Sequence, residues 1–109
     1  PTFQPHDLLS HCADLDIAIE AWSPLGHSQD LAHPDVVAIA TEHGVSPAQV
    51  ILRWHLDRGF IALPKSTNAQ RQRQNLDVFD FQLTPAQRAA IDAANTGVRV
   101  GPDPLEIGV

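Results

Sequence analysis

Apolar residues recur at helical spacing near the start of the chain. Leu8, Leu9, Cys12 and Leu15 predict a short helix over 7–15. IAIEAW, 17–22, then reads as a strand, closed by the turn chemistry of Ser23-Pro24-Leu25-Gly26. A polar loop covers 27–33. Helical spacing returns after Pro34, through Val36, Val37, Ala40 and His43, with Gly44 as the C-cap. Ser46-Pro47-Ala48-Gln49 predicts the next helix start: Ser caps, Pro takes the first helical position and Gln closes the capping box. That helix should run to Arg58 and stop at Gly59. FIALP, 60–64, reads as a second strand, and Lys65-Ser66-Thr67-Asn68 as its exit loop. A helix over 69–75 follows. Thr84-Pro85-Ala86-Gln87 repeats the capping logic and opens a helix to Ala94. Residues 95–109, with three Gly and two Pro, read as an irregular tail.

Strands separated by long helical connections pair in parallel, so the fold class is α/β. FIAL is apolar on both faces and IAIEAW nearly so, the pattern of strands covered on both sides. Ile17, Ile19, Ile61 and Leu63 are therefore expected in a core. Glu20, in mid-strand, is expected to reach a rim or to pair with a cation. Two parallel strands are too few for such a sheet, because a barrel of this kind closes with eight. The pattern is that of one end of a larger α/β domain.

Composition narrows the function classes. The 109 residues carry 7 Lys+Arg against 13 Asp+Glu, a net charge of -6, and 43% of them are hydrophobic. That supports a folded core and argues against nucleic acid as a partner. One cysteine, Cys12, makes no internal disulfide and sits on the apolar face of its helix, where burial is expected. No apolar run is long enough to cross a membrane, and the first residues do not read as a signal peptide. These features point to a cytoplasmic protein. The six His residues show no metal-ligand spacing, so no metal site is expected. The chain has no Met, which reads as processing or a cut from a longer chain.

Two stretches offer chemistry. PKSTNAQRQRQN, 64–75, follows a strand and runs into a helix. It holds Lys65, Arg71 and Arg73, with no acidic residue between Gly59 and Leu76. Ser66, Thr67 and Asn68 add side-chain donors, and the helix start adds free N–H groups. The combination reads either as an anion site, best suited to phosphate, or as a solvated helix face. In AWSPLG, 21–26, Trp22 stands at the carboxyl end of a strand, where ligands bind in such folds. It either stacks on a flat ring or plugs the barrel top. Ser23 offers a hydrogen bond, and Gly26 a close backbone approach.

Taken in order, IEAWSPLG, HGVSPAQVILRWHLDRG, IALPKSTNAQRQRQNLDVFDFQLTPAQRAAIDA and GPDP resemble the C-terminal part of bacterial aldo-keto reductases. The likeness extends over nearly the whole chain and is strongest to the branch that includes 2,5-diketo-D-gluconate reductases. The resemblance implies the C-terminal portion of a (β/α)8 TIM barrel, with 17–22 and 60–64 as its seventh and eighth strands, 1–94 as partial barrel and 95–109 as tail. It implies NADPH as cofactor, bound without a GxGxxG fingerprint, and a small aldehyde, ketone or keto-sugar as substrate of a monomeric parent. By the same resemblance Trp22 stacks on the nicotinamide, and Ser23, Pro24, Leu25 and Gly26 line the pyrophosphate path. The loop over 27–33 matches the part that folds over the cofactor. Lys65, Ser66 and Asn68 lie near the 2′-phosphate, with Thr67 among them as a further cofactor-binding residue, and Arg71 meets both this phosphate and the adenine. Gln74 and Asn75 fall on an adenine-contacting Glu-Asn pair, with Gln74 replacing the Glu.

The family's Asp, Tyr, Lys and His set has no counterpart here, and the chain contains no Tyr. The segment alone is expected to be catalytically silent and unstable, with open strand edges and apolar faces. The competing readings are a non-catalytic phosphate- or nucleotide-binding module, a subunit-interaction piece, and a purely structural fragment.

Overall fold

Three helices carry most of the buried apolar side chains, and capping residues fix where two of them start. The computed structural model describes residues 1–107, so positions 108 and 109 of the expected tail lie outside the described residues. In order, the elements are α1 (His6–Asp14), β1 (Glu20–Ala21), α2 (Pro34–His43), α3 (Pro47–Asp57), β2 (Ile61–Ala62), α4 (Ala69–Leu76) and α5 (Pro85–Asp92).

Both expected capping boxes form. The Ser46 hydroxyl accepts from the Gln49 N–H at 3.3 Å, and the Ser46 N–H donates to Gln49 Oε1 at 2.9 Å. Thr84 and Gln87 do the same for α5, at 3.1 and 2.9 Å. Gly44 ends α2 in the left-handed conformation at φ 66, where a Cβ would be strained. The helix boundaries otherwise fall within two residues of expectation.

The core lies between α2, α3 and α5. Val36, Ile39 and Ala40 meet Val50, Ile51 and Trp54, with Ile91 and Leu83 closing the layer. The polar end of Trp54 is satisfied as well: its Nε1 donates to Asp92 Oδ1 at 2.9 Å. Arg58 donates to the same oxygen at 2.8 Å, with its guanidinium 5.0 Å from the Trp54 ring and 5.2 Å from that of Phe60. Cys12 is buried, as expected.

The two strands pair in parallel, with Glu20 opposite Ile61 and Ala21 opposite Ala62. The ladder is shorter than the apolar runs suggested. One more bond, from the Ile61 N–H to the Ile19 carbonyl at 2.9 Å, extends it. The expected core placement fails for three of the four strand residues. Ile17 is 52% exposed, Ile61 43% and Leu63 66%, while Ile19 is half-buried. A strand is covered on both faces only when each face carries a packed layer. Here α3 packs on β2, and among the described residues no further strand flanks the pair. Glu20 is exposed and forms no ion pair among the described residues.

The tail is irregular, yet it is anchored. Asn95 exchanges two hydrogen bonds with the Gln4 backbone, and the Thr96 N–H donates to the Thr2 carbonyl at 2.7 Å. Gln4 is buried, and its amide donates to the carbonyls of Pro1 and Asp92 at 2.7 and 3.1 Å. The polar loop over 27–33 is more ordered than expected, forming 3-10 turns at Gly26–Ser28 and Asp30–Ala32. No helix among the described residues is long and apolar enough to cross a membrane.

His55, on α3, ties this core to the loop after β1. Its Nε2 lies 3.0 Å from the Pro24 carbonyl, which only accepts, so the proton sits on Nε2. Burial lowers the His55 pKa from 6.5 to about 4, and the bond to Pro24 only partly offsets that. The unfolded chain therefore binds a proton between these values that the native chain refuses. Stability should be full above pH 6.5 and fall as the pH drops toward 4, by up to about 3 kcal/mol for this group. Urea midpoints measured across that range check it, and His55→Gln should flatten the slope.

Candidate functional site

The turn after β1 is the most contorted backbone in the chain. Ser23, Gly26, His27 and Ser28 all have positive φ, at 49, 56, 52 and 70. Side-chain-bearing residues pay for that conformation, and such strain gathers at ligand-binding turns. Gly26 is required here for a second reason. A Cβ at this position would lie 2.6 Å from Asp30 Oδ2.

Asp30 holds the turn from below. It is buried and accepts from the Thr2 hydroxyl at 2.6 Å. Sequence reasoning missed this residue, because nothing in the spacing marks Asp30 as the partner of Gly26 and of a segment 28 residues earlier.

Trp22 projects from the end of β1 and is 69% exposed. Its ring meets the His27 ring edge-on, with centroids 5.3 Å apart and planes at 66°. A cleft of about 390 Å³ opens between this turn and the exit of β2. Trp22, Ser23, Pro24, Leu25 and His27 form one wall, and Leu63, Pro64 and Lys65 the other. The structure thus brings most of AWSPLG together with Lys65. Gly26 is buried behind the wall.

Ser66, Thr67, Asn68, Arg71, Gln74 and Asn75 do not line that cleft. They continue from Lys65 into α4. Gln74 and Asn75 are half-buried, while Thr67, Asn68 and Arg71 are exposed. Several of their groups shape the turn. The Ser66 hydroxyl donates to the Asn68 carbonyl at 3.3 Å and accepts from its N–H at 3.1 Å. Asn68 Oδ1 caps α4 by accepting from the Arg71 N–H at 3.0 Å. Gln72 donates to the Ser66 carbonyl at 2.7 Å.

The charges sort into two groups. Arg53, Arg58, Arg88 and Arg99 each have a carboxylate within 4 Å: Asp57 for Arg53 and Arg88, Asp92 for Arg58, and Asp103 for Arg99. Lys65, Arg71 and Arg73 have no such partner among the described residues. The three unpaired cations are the three of the 64–75 stretch. An anion arriving there displaces no internal ion pair, and its bonds to Arg would be charge-assisted. No cluster of three metal-ligating side chains occurs among the described residues.

Residues 1–96 match the sequence pattern of the Aldo/keto reductase family. The chain belongs to this family. An aldo-keto reductase of Mycobacterium sp. strain KMS is 47% identical over 95% of the chain and 38% of its own length. Morphine 6-dehydrogenase of Pseudomonas putida is 42% identical over 98% of the chain and 40% of its own length. Among solved structures, the NADPH complex of a Gox0644 variant superposes with a TM-score of 0.95 and 38% identity, covering all of this chain and 41% of that one. The chain thus spans about two fifths of the length of the relatives it matches. Its two parallel strands and their helices form a partial α/β fold of this family, in keeping with part of a larger TIM-barrel domain.

Gly26→Ala should destabilise the protein by about 1–3 kcal/mol, since it adds a left-handed backbone penalty to a clash with a buried carboxylate. Chemical denaturation of the variant beside the parent measures it.

Proposed function

We propose that the whole protein is an NADPH-dependent reductase of small aldehydes, ketones or keto-sugars, of the branch that includes 2,5-diketo-D-gluconate reductases. In this reading the two strands are the seventh and eighth of the barrel, residues 1–94 are partial barrel and 95–109 are tail. The observation that carries it is the set of three unpaired cations beside a cleft walled by an exposed Trp22. A dinucleotide with an extra phosphate has the matching chemistry, namely a flat ring at one end and concentrated negative charge at the other.

The residues present fit that group. Trp22 offers the nicotinamide an aromatic face. Ser23, Pro24, Leu25 and Gly26 present a turn whose backbone a pyrophosphate can approach closely, because Gly26 carries no side chain. Lys65, Thr67 and Arg71 supply donors for the 2′-phosphate, and Ser66 and Asn68 hold that turn in shape. Gln74 and Asn75 offer adenine amide groups that both donate and accept. When bound, the nicotinamide supplies the hydride that reduces the carbonyl. The chain has no Tyr, so in this reading the proton for the substrate oxygen comes from outside these residues, and none of them is assigned a catalytic role.

Two substitutions in the full-length protein test this reading. Arg71→Ala should weaken NADPH about ten- to a hundredfold, the range of a lost charged hydrogen bond, and leave NADH within about twofold. Calorimetric titrations with both cofactors decide it, and equal losses would overturn the 2′-phosphate assignment. Trp22→Ala should raise the NADPH dissociation constant by about tenfold. Unchanged circular dichroism would show that the exposed ring acts through the ligand and not through the fold.

A further inference from the structure

The irregular tail reaches the Trp22 ring at Gly101. A Cβ built on Gly101 would lie 2.5 Å from both Cη2 and Cζ3 of Trp22, closer than non-bonded atoms approach. Gly101 does not have the positive φ that makes glycine necessary at Gly26. Its backbone would accept an alanine. What excludes a side chain at 101 is the indole alone.

The two sides of that contact differ in stiffness. The tail is pinned around Gly101. The Arg99 guanidinium lies 4.5 Å from the Phe3 ring centroid and its Nε lies 3.9 Å from Asp103. Asp103 in turn accepts from the Leu105 and Glu106 N–H groups, both at 3.0 Å. Thr96 is bonded to Thr2 further back. The Trp22 ring touches His27 on one edge and is otherwise mostly in solvent. A side chain at 101 would press on the ring, which is exposed and has room to tilt away.

We infer that Gly101 is a positioning residue for Trp22: its missing side chain sets how far the indole tilts toward the tail. The cofactor platform is thus coupled to a segment more than 75 residues away in sequence. This rests on Trp22 being the nicotinamide platform, and the test separates the two ideas.

The experiment uses the full-length protein and calorimetric titration with two probes, NADPH and 2′,5′-ADP. The second carries the adenine and 2′-phosphate but no nicotinamide. Gly101→Ala should weaken NADPH about three- to tenfold, the scale of one aromatic stacking contact, and leave 2′,5′-ADP within about twofold. In a Trp22→Ala background, Gly101→Ala should alter neither affinity. Intact 2′,5′-ADP binding also reports that the variant is folded. Unchanged NADPH affinity in Gly101→Ala overturns the inference. So does a loss of the same size with and without Trp22, or a loss that extends to 2′,5′-ADP. If Trp22→Ala alone leaves NADPH affinity unchanged, the platform reading fails, and the coupling to it fails as well.

Discussion

A buried hydrogen bond joins the helical core of this chain to the turn that walls the cleft. His55 belongs to α3, which also places Val50, Ile51 and Trp54 in the core. Its Nε2–H reaches the Pro24 carbonyl, at the centre of the contorted turn after β1. Backbone bonds within the turn and the packing of Leu25 on the core support it as well. Left-handed residues at 23, 26, 27 and 28 are conformationally costly, and only surrounding contacts can hold them. The His55 bond holds the turn from the helix side, and Asp30, bonded to Thr2, lies against Gly26 on the other. Two separate elements therefore contact the cleft wall. His55 Nδ1 has no partner, so the ring is neutral and one-sided, a donor that serves a single carbonyl.

Charge is partitioned as well as structure. The chain carries a surplus of acids, and carboxylates on α3, α5 and the tail take up four arginines. The rest of the positive charge is left where β2 gives way to α4. Surface ion pairs add little to stability. Their absence matters more here, since an unpaired guanidinium is available to an incoming anion without first breaking a bond. The turn itself is pre-formed: Ser66 and Asn68 spend their side-chain oxygens on backbone groups. Order before binding lowers the entropic cost of gripping a ligand.

The helices were legible because their signals are local. Ser46-Pro47 with Gln49, and Thr84-Pro85 with Gln87, state the start of a helix within four residues, and both boxes formed. The basic stretch was legible for the same reason, as a run of charge without acids. The strand environment was not. IAIEAW and FIALP are written for a sheet covered on both faces, and a sequence pattern reports the environment a strand is built for, whether or not the covering layers are present. Ile17, Ile61 and Leu63 are exposed for that reason. Asp30 and Gly101 escaped because their meaning lies in contacts across 28 and 79 positions. GPDP contributed to the family resemblance without revealing that its glycine lies against an indole.

The mismatch between the strands and their surroundings is itself informative. The helical layer is finished: α2, α3 and α5 share a dry core, and Trp54, Arg58 and Asp92 close its polar edge. The sheet is not, since its exposed residues are large and aliphatic where a solvent-facing strand would alternate with polar ones. A helical layer complete in itself and a sheet that asks for more strands is the arrangement expected of one sector of a barrel, whose outer helices pack against neighbours while its strands belong to a shared interior. The chain's match to about two fifths of each relative's length agrees with that geometry. The cleft lies at the boundary between the two layers. One of its walls is held by the finished layer through His55, so its shape depends least on the strands that are absent from the described sheet.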